Sequence, residues 1–246
     1  PGRPLETMTQ TISHWINNDI FTGSSGQSAP VTNPATGQVT GQVALASVED
    51  AQAVINAAVA AFPAWRDTSI TKRVQILFAF RELINARRDE LAAIITAEHG
   101  KVHSDALGEV ARGIEVIEFA CGIPHLLKGG YSENASTNVD VYNIRQALGP
   151  VAIISPFNFP AMVPMWFFPI AIATGNTVVV KPSEKDPSSS LWMARLWKEA
   201  GLPDGVFNVL QGDKTAVDEL LTNPAIKAVS FVGSTPIAQY VYRTAT

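Results

Sequence analysis

The chain has 246 residues, 46% of them hydrophobic, with a formal net charge of −4 and one cysteine. That is apolar material for one large core or two small ones, while the single thiol excludes an internal disulfide and the lack of a basic block leaves no footprint for nucleic acid. The longest apolar run, around 161–174, is broken by Pro164, Pro169 and Thr174, and no charge-then-apolar leader opens the chain, so a cytoplasmic protein without a membrane partner is expected.

Residues 1–7 read as a vector remnant before a start at Met8. From 12 to 45 the chain reads as short strands and turns, an edge sheet without chemistry: Trp15-Ile16, Ile20-Phe21 after Asn17-Asn18-Asp19, then Val39 to Leu45, with NPATG at 33–37 a turn by composition. Ser47, followed by Glu49 and Asp50, starts a helix expected to end at Pro63. A second helix is predicted over about 70–98, with Ile70, Val74, Leu77, Ile84, Leu91 and Ile95 on its buried face. Lys72, Arg73, Arg81 and Arg88 take the other face, and Gly100 stops it. A third covers about 104–127, interrupted at Gly113, Gly122 and Pro124. Residues 137–148 then alternate, with Val139, Val141 and Ile144 apolar, as a strand does.

Three features of this half invite a chemical reading. His99 and His103 are four apart, but Gly100 between them and the lack of a third ligand argue against a metal. Cys121 lies in an apolar run and reads as a buried thiol; Gly122 and Pro124 argue against a helical Cys–His pair with His125. Arg112, beside Gly113, is either a salt-bridge partner of Glu109 or Glu115, or a fork free to take a carboxylate.

The second half alternates β and α. Val151–Ile154 and Thr177–Val180 are continuously apolar, the pattern of parallel strands covered on both faces. Between them lie Phe157-Asn158-Phe159-Pro160, a long apolar helix and a Gly175-Asn176 break. Asn158 reads two ways, as a turn asparagine bonding its own backbone or as an amide donor held for an oxyanion. Lys181 and Glu184 sit past the second strand, where open α/β sheets bind ligands and where solvated charges are also ordinary. Asp186-Pro187 is expected to cap the next helix, which Gly201 and Pro203 stop. Val206–Leu210 is a strand, Asp213–Leu221 a helix and Ala228–Val232 a strand. Gly233-Ser234-Thr235-Pro236 then reads as a glycine-permitted turn, a hydroxyl cap and a proline-started helix, a terminus that suits a phosphate as well as an ordinary cap.

PFNFP followed by ATGNTVVVKPSE strongly resembles the aldehyde dehydrogenase superfamily, whose early hairpin also carries NPATG. The resemblance implies an α/β fold: an open parallel sheet of Rossmann type, a helical amino-terminal part and a small protruding β segment. Residues 8–136 would be the amino-terminal part of the NAD-binding domain, 137–148 oligomerisation strands and 149–246 the NAD-binding core. It implies Asn158 as an oxyanion donor and Ser155, Phe157, Lys181, Glu184, Lys185 and Ser234 as NAD contacts. The stretch ARGIEVIEFACGIPHLLKG, and Ala238 in GSTPIA, are similar to the methylmalonate-semialdehyde branch, which acylates coenzyme A; there Arg112 would meet the substrate carboxylate. The activity implied is NAD-dependent oxidation of methylmalonate or malonate semialdehyde to an acyl-CoA with loss of carbon dioxide, in a homo-oligomer. The resemblance covers an amino-terminal half, so the nucleophilic cysteine is expected downstream and this stretch alone is expected to be inactive. The alternatives are a hydrolytic dehydrogenase of another small semialdehyde and a non-catalytic nucleotide-binding module. No G-x-G-x-x-G fingerprint occurs, and the superfamily does without one.

Overall fold

The computed structural model describes residues 10–246; the segment read as a vector remnant lies outside them. Its strands are β1 Gln10–Ile12, β2 His14–Ile16, β3 Asp19–Phe21, β4 Ser28–Thr32, β5 Val39–Ala44, β6 Tyr131–Ser136, β7 Val139–Tyr142, β8 Pro150–Ile154, β9 Thr177–Lys181, β10 Phe207–Val209 and β11 Ala228–Phe231. Its helices are α1 Val48–Asp67, α2 Ile70–Ala86, α3 Arg88–His99, α4 His103–Cys121, α5 Ile123–Leu126, α6 Met162–Ala173, α7 Ser188–Glu199, α8 Lys214–Thr222 and α9 Thr235–Ala245.

The main sheet runs β11-β8-β9-β10-β2-β3, the first four strands parallel and the last two antiparallel. Val151 and Ile153 of β8, with Val178 and Val180 of β9, join a core built on Phe80, Phe168 and Trp197. Ala152, Ile154 and Val179 face the other way, onto Val54, Ile55, Leu220 and Val241. Both faces are therefore covered, as the unbroken apolar runs predict. On the first face Phe80 stacks on Trp197 with ring centroids 3.7 Å apart, and Phe168 meets Phe80, Trp197 and Phe207 edge-on. The amino-terminal hairpin closes one edge, Trp15 pairing with Val209 across β2 and β10. Its turn uses Asn17 and Asn18, both at positive φ. Gln10–Ile12 and Ser28–Thr32, unforeseen as strands, flank Val39–Ala44 in a small separate sheet.

The helices depart from expectation where tertiary contacts override local signals. α1 does not end at Pro63 but runs on to Asp67, because Trp65 is buried and donates from Nε1 to the Ile172 carbonyl at 3.1 Å. The second predicted helix is two, broken at Arg87, which pairs with Glu90 and Glu199 and lies over the Trp192 ring. Arg73, expected on the solvated face, is buried and donates to the carbonyls of Arg66, Thr68 and Ala173, stitching the end of α1 to the end of α6. Asn176 at the glycine break takes the N–H groups of Leu148 and Gly149, which ties the starts of β8 and β9 together. β6 and β7 pair only with each other, and every residue in them is exposed.

Gly113 does not interrupt α4; it lets α4 approach α6. A Cβ there would lie 2.2 Å from Met165 Cε, 2.6 Å from its Sδ and 3.1 Å from its Cβ, and Met165 is fully buried. Five residues earlier on α4, a Cβ at Gly108 would meet nothing within 4 Å. The two glycines should therefore respond with opposite sign. Gly108→Ala is expected to gain up to about 1 kcal/mol of helix propensity. Gly113→Ala is expected to lose about 1–3 kcal/mol to overpacking, only partly offset by propensity. Urea midpoints of the two variants check this, and equal gains at both positions would refute the close approach.

Candidate functional site

Strands β8, β9 and β10 are laid down in one direction from β8, and β11 then returns to its other side. This reversal of order is the switch point at which open α/β sheets gather ligands beyond the carboxyl ends of their strands. The loop after β8 carries Ser155, Phe157 and Asn158, β9 ends on Lys181 with Glu184 and Lys185 in the loop beyond it, and Ser234 follows β11. The sequence-predicted residues of the second half thus come to one end of one sheet.

The Asn158 loop is bracketed by Pro156 and Pro160, and Asn158 is exposed. Its side-chain amide makes no hydrogen bond among the described residues, so it is not the self-satisfying turn asparagine. Its backbone carbonyl accepts from Lys101 Nζ at 2.8 Å. Beside it opens a cleft of about 520 Å³ lined by His99, Lys101, Ser104, Arg112, Asn158 and Phe159, among others. Arg112 is exposed there and has no ion pair among the described residues. The expected partner Glu109 is turned inward: it is 1% exposed, pairs with Lys101 at 2.5 Å, and accepts the N–H groups of Ala161 and Met162. The site therefore sets a free guanidinium and a free amide on one cleft, an arrangement able to hold a carboxylate and polarise a nearby carbonyl.

A second cleft, of about 410 Å³, is lined by residues including Thr32, Glu98, His99, Phe157, Glu184, Lys185 and Asp186. The Lys185 ammonium lies 4.5 Å from the centre of the exposed Phe157 ring. Lys181, at a position where solvated charges are ordinary, is instead 5% exposed and bonds Glu184 at 3.4 Å, the carboxylate side chain being 41% exposed. Burial pushes the Lys181 ammonium below its ordinary range, and Glu184 opposes that shift. Ser155 is buried with its hydroxyl unpartnered, its N–H taken by the Lys181 carbonyl at 3.2 Å. Ser234 stands at the cap position of α9, but its hydroxyl makes no capping bond and is exposed. Gly233 is not at positive φ; a Cβ there would strike the Phe231 ring at 2.3 Å, so the glycine serves a close approach.

Cys121 is buried away from both clefts, and burial pushes its thiol up, the reverse of activation. Among the described residues no group of three His, Cys, Asp or Glu side chains is arranged for a metal, and no helix is long and apolar enough to cross a membrane. Lys101, Glu109, Glu98 and Asp186 went unforeseen as parts of the site. Each looks like a surface charge in sequence, and only Glu109, inside an otherwise apolar helix face, carries a local sign of burial.

The aldehyde dehydrogenase family profile matches residues 21–246. A malonate-semialdehyde dehydrogenase of Pseudomonas aeruginosa is 52% identical over 236 residues, which is 96% of this chain and 47% of that protein. The crystal structure of a methylmalonate-semialdehyde dehydrogenase from Oceanimonas doudoroffii superposes with a TM-score of 0.94 at 53% identity, covering 96% of this chain and 48% of that one. A Sinorhizobium meliloti protein assigned the same activity, solved in complex with NAD, gives a TM-score of 0.96 at 50% identity over 98% of this chain and 49% of its own. The chain thus spans about half the length of the relatives it matches.

Asp186 does not cap α7 as expected; Glu98 does, accepting from the Ser188 N–H at 3.0 Å and from its hydroxyl at 2.5 Å. Asp186 is left buried without a hydrogen-bond partner among the described residues, and burial first, then the nearby Glu98 and Glu109, push its carboxyl up to about 8. Between the ordinary carboxylate range and that value, the unfolded chain ionises at this position while the folded one keeps its proton. The folded state therefore loses stability as pH rises through this window. Asp186→Asn removes that dependence. The variant should melt at a higher temperature than the parent at pH 8, with the difference closing as pH approaches about 4, near the unperturbed carboxyl pKa. A gap that stays constant across the window would contradict the buried proton.

Proposed function

The chain belongs to the aldehyde dehydrogenase family, and from that premise we propose that it is the cofactor-binding half of an NAD-dependent, CoA-acylating dehydrogenase of malonate or methylmalonate semialdehyde. The observation that carries this reading is the shared cleft of Arg112 and Asn158. A short aldehyde bearing a carboxylate offers two groups to such a site, an anion for the guanidinium fork and a carbonyl oxygen for the amide. Arg112 would fix the substrate through two parallel charge-assisted hydrogen bonds. Asn158 would donate to the carbonyl oxygen as it gains negative charge, and so act mainly in the transition state.

The polar atoms at the strand ends next to the second cleft, which Glu184 lines, suit a dinucleotide. Lys181 has three donors and one partner at 3.4 Å, the Ser155 hydroxyl has none, and Glu184 leaves acceptor capacity exposed beside them. Lys181 and Glu184 would hold the adenosine ribose hydroxyls, Phe157 and Lys185 would flank the cofactor, and Ser234 with the first turn of α9 would take the pyrophosphate. When bound, NAD supplies the hydride acceptor. Coenzyme A as acyl acceptor, and loss of carbon dioxide, rest on the branch-like stretch around Arg112. We assign residues 137–148 to subunit pairing, supported by the exposed Val139, Val141 and Ile144, and place the complete homo-oligomer in the cytoplasm.

Full-length enzyme given the semialdehyde, NAD and CoA is expected to produce NADH and an acyl-CoA together; a free acid instead would indicate the hydrolytic reaction. Arg112→Ala should lower kcat/KM for the carboxylated aldehyde by roughly 10- to 100-fold, chiefly through KM, while propanal oxidation changes little. Equal losses on both substrates would remove the carboxylate role. The Glu184 charge should also repel a 2′-phosphate, so titration is expected to give tighter binding of NAD than NADP. Glu184→Ala should narrow that preference. Lys181→Ala, at a buried position, should reduce folding stability as well.

A further inference from the structure

We infer that Lys101 and Glu109 form a clamp that positions Asn158, a role that rests on the oxyanion reading of Asn158 proposed above. The loop from β8 to α6 has little support of its own. Pro156 and Pro160 bring no N–H, the Asn158 amide bonds nothing among the described residues, and Ala161, at the cap position of α6, makes no side-chain capping bond. Support comes from across the cleft. Glu109 Oε1 accepts the N–H of Ala161 at 2.9 Å and of Met162 at 3.1 Å, satisfying donors at the start of α6. Glu109 Oε2 accepts from Lys101 Nζ at 2.5 Å, and the same ammonium donates to the Asn158 carbonyl at 2.8 Å and sits 4.3 Å from the Phe159 ring centre.

One ion pair thus grips the loop at residue 158 and again at 161 and 162. The two members depend on each other, since a side chain as sealed as that of Glu109 tolerates its charge only when paired and hydrogen-bonded. With the 158 carbonyl fixed, the backbone from which the Asn158 side chain springs cannot shift without breaking the Lys101 bond. A catalytic donor is effective only in the orientation it is held in, so the clamp acts through Asn158.

The test uses full-length enzyme carrying Lys101→Met, Asn158→Ala and both together. Lys101→Met is expected to lower kcat roughly 10-fold with little change in KM, and to cost nothing further in the Asn158→Ala background. Losses that multiply in the double variant, or a KM effect instead, overturn the clamp, since they would mean that Lys101 acts on substrate directly. Lys101→Arg, which keeps a charge beside Glu109, is expected to fall between the parent and Lys101→Met; an Arg variant no better than Met counts against the pair. A second measurement needs no turnover. Amide hydrogen exchange over residues 157–163 should quicken in Lys101→Met while β9 stays protected, and unchanged exchange overturns the clamp. If the parent enzyme oxidises no semialdehyde, the reaction assigned above falls, and the exchange result still decides the clamp.

Discussion

Val151 and Ile153 lean on the Phe80–Trp197 layer while Ala152 and Ile154 lean on α1 and α8, so no side chain along β8 has a route to water. The same holds for β9, all five of whose residues are buried. Strands closed on both faces can present polar groups only at their ends, and the carboxyl ends point to where the order of strands reverses. The concentration of Ser155, Asn158, Lys181, Glu184 and Ser234 at one end of the sheet follows from that restriction on the core.

The cost of this arrangement is charge in a place with little solvent. Lys181, Glu109 and Asp186 are all at most 5% exposed, and Glu98 is held among them with its carboxyl pushed up by burial. The structure meets the cost in different ways. Glu109 takes an ammonium and two backbone amides, Glu98 takes the first turn of α7, and Lys181 takes a partly exposed carboxylate. Asp186 has none of these, which is why its proton stays. His99 lines both clefts, so the two halves of the site share a wall and a change of charge in one is felt in the other.

Much of this was legible in the sequence, and most of what was not has a common cause. The unbroken Val and Ile runs announced parallel strands, and the PFNFP and KPSE stretches announced the loops that carry the site. Ser47 and Asp213 cap their helices as local rules require. Most of the misses involve partners far along the chain. Pro63 failed to stop α1 because of a bond to Ile172, Arg73 was buried by carbonyls of two helices, and Glu98, 90 residues away from Ser188, displaced Asp186 as a cap. Arg112 was left open between a salt bridge and a ligand contact. Among the described residues it pairs with neither Glu109 nor Glu115, and Glu109 is engaged instead by Lys101 and the loop after β8, a choice no spacing rule contains.

The hairpin of β2 and β3 closes the sheet against β10, and its anchors lie almost at the other end of the chain. Asn18 donates to the Leu202 carbonyl, and the Gln211 N–H donates to His14 at 197 residues' separation. During synthesis at about 5–20 residues per second, this hairpin emerges roughly 10–40 s before the strand it needs. Trp15 and His14, buried in the finished molecule, spend that interval without their final neighbours. The hairpin thus leaves the ribosome well before the strand that packs it, a period in which a chaperone has reason to hold it.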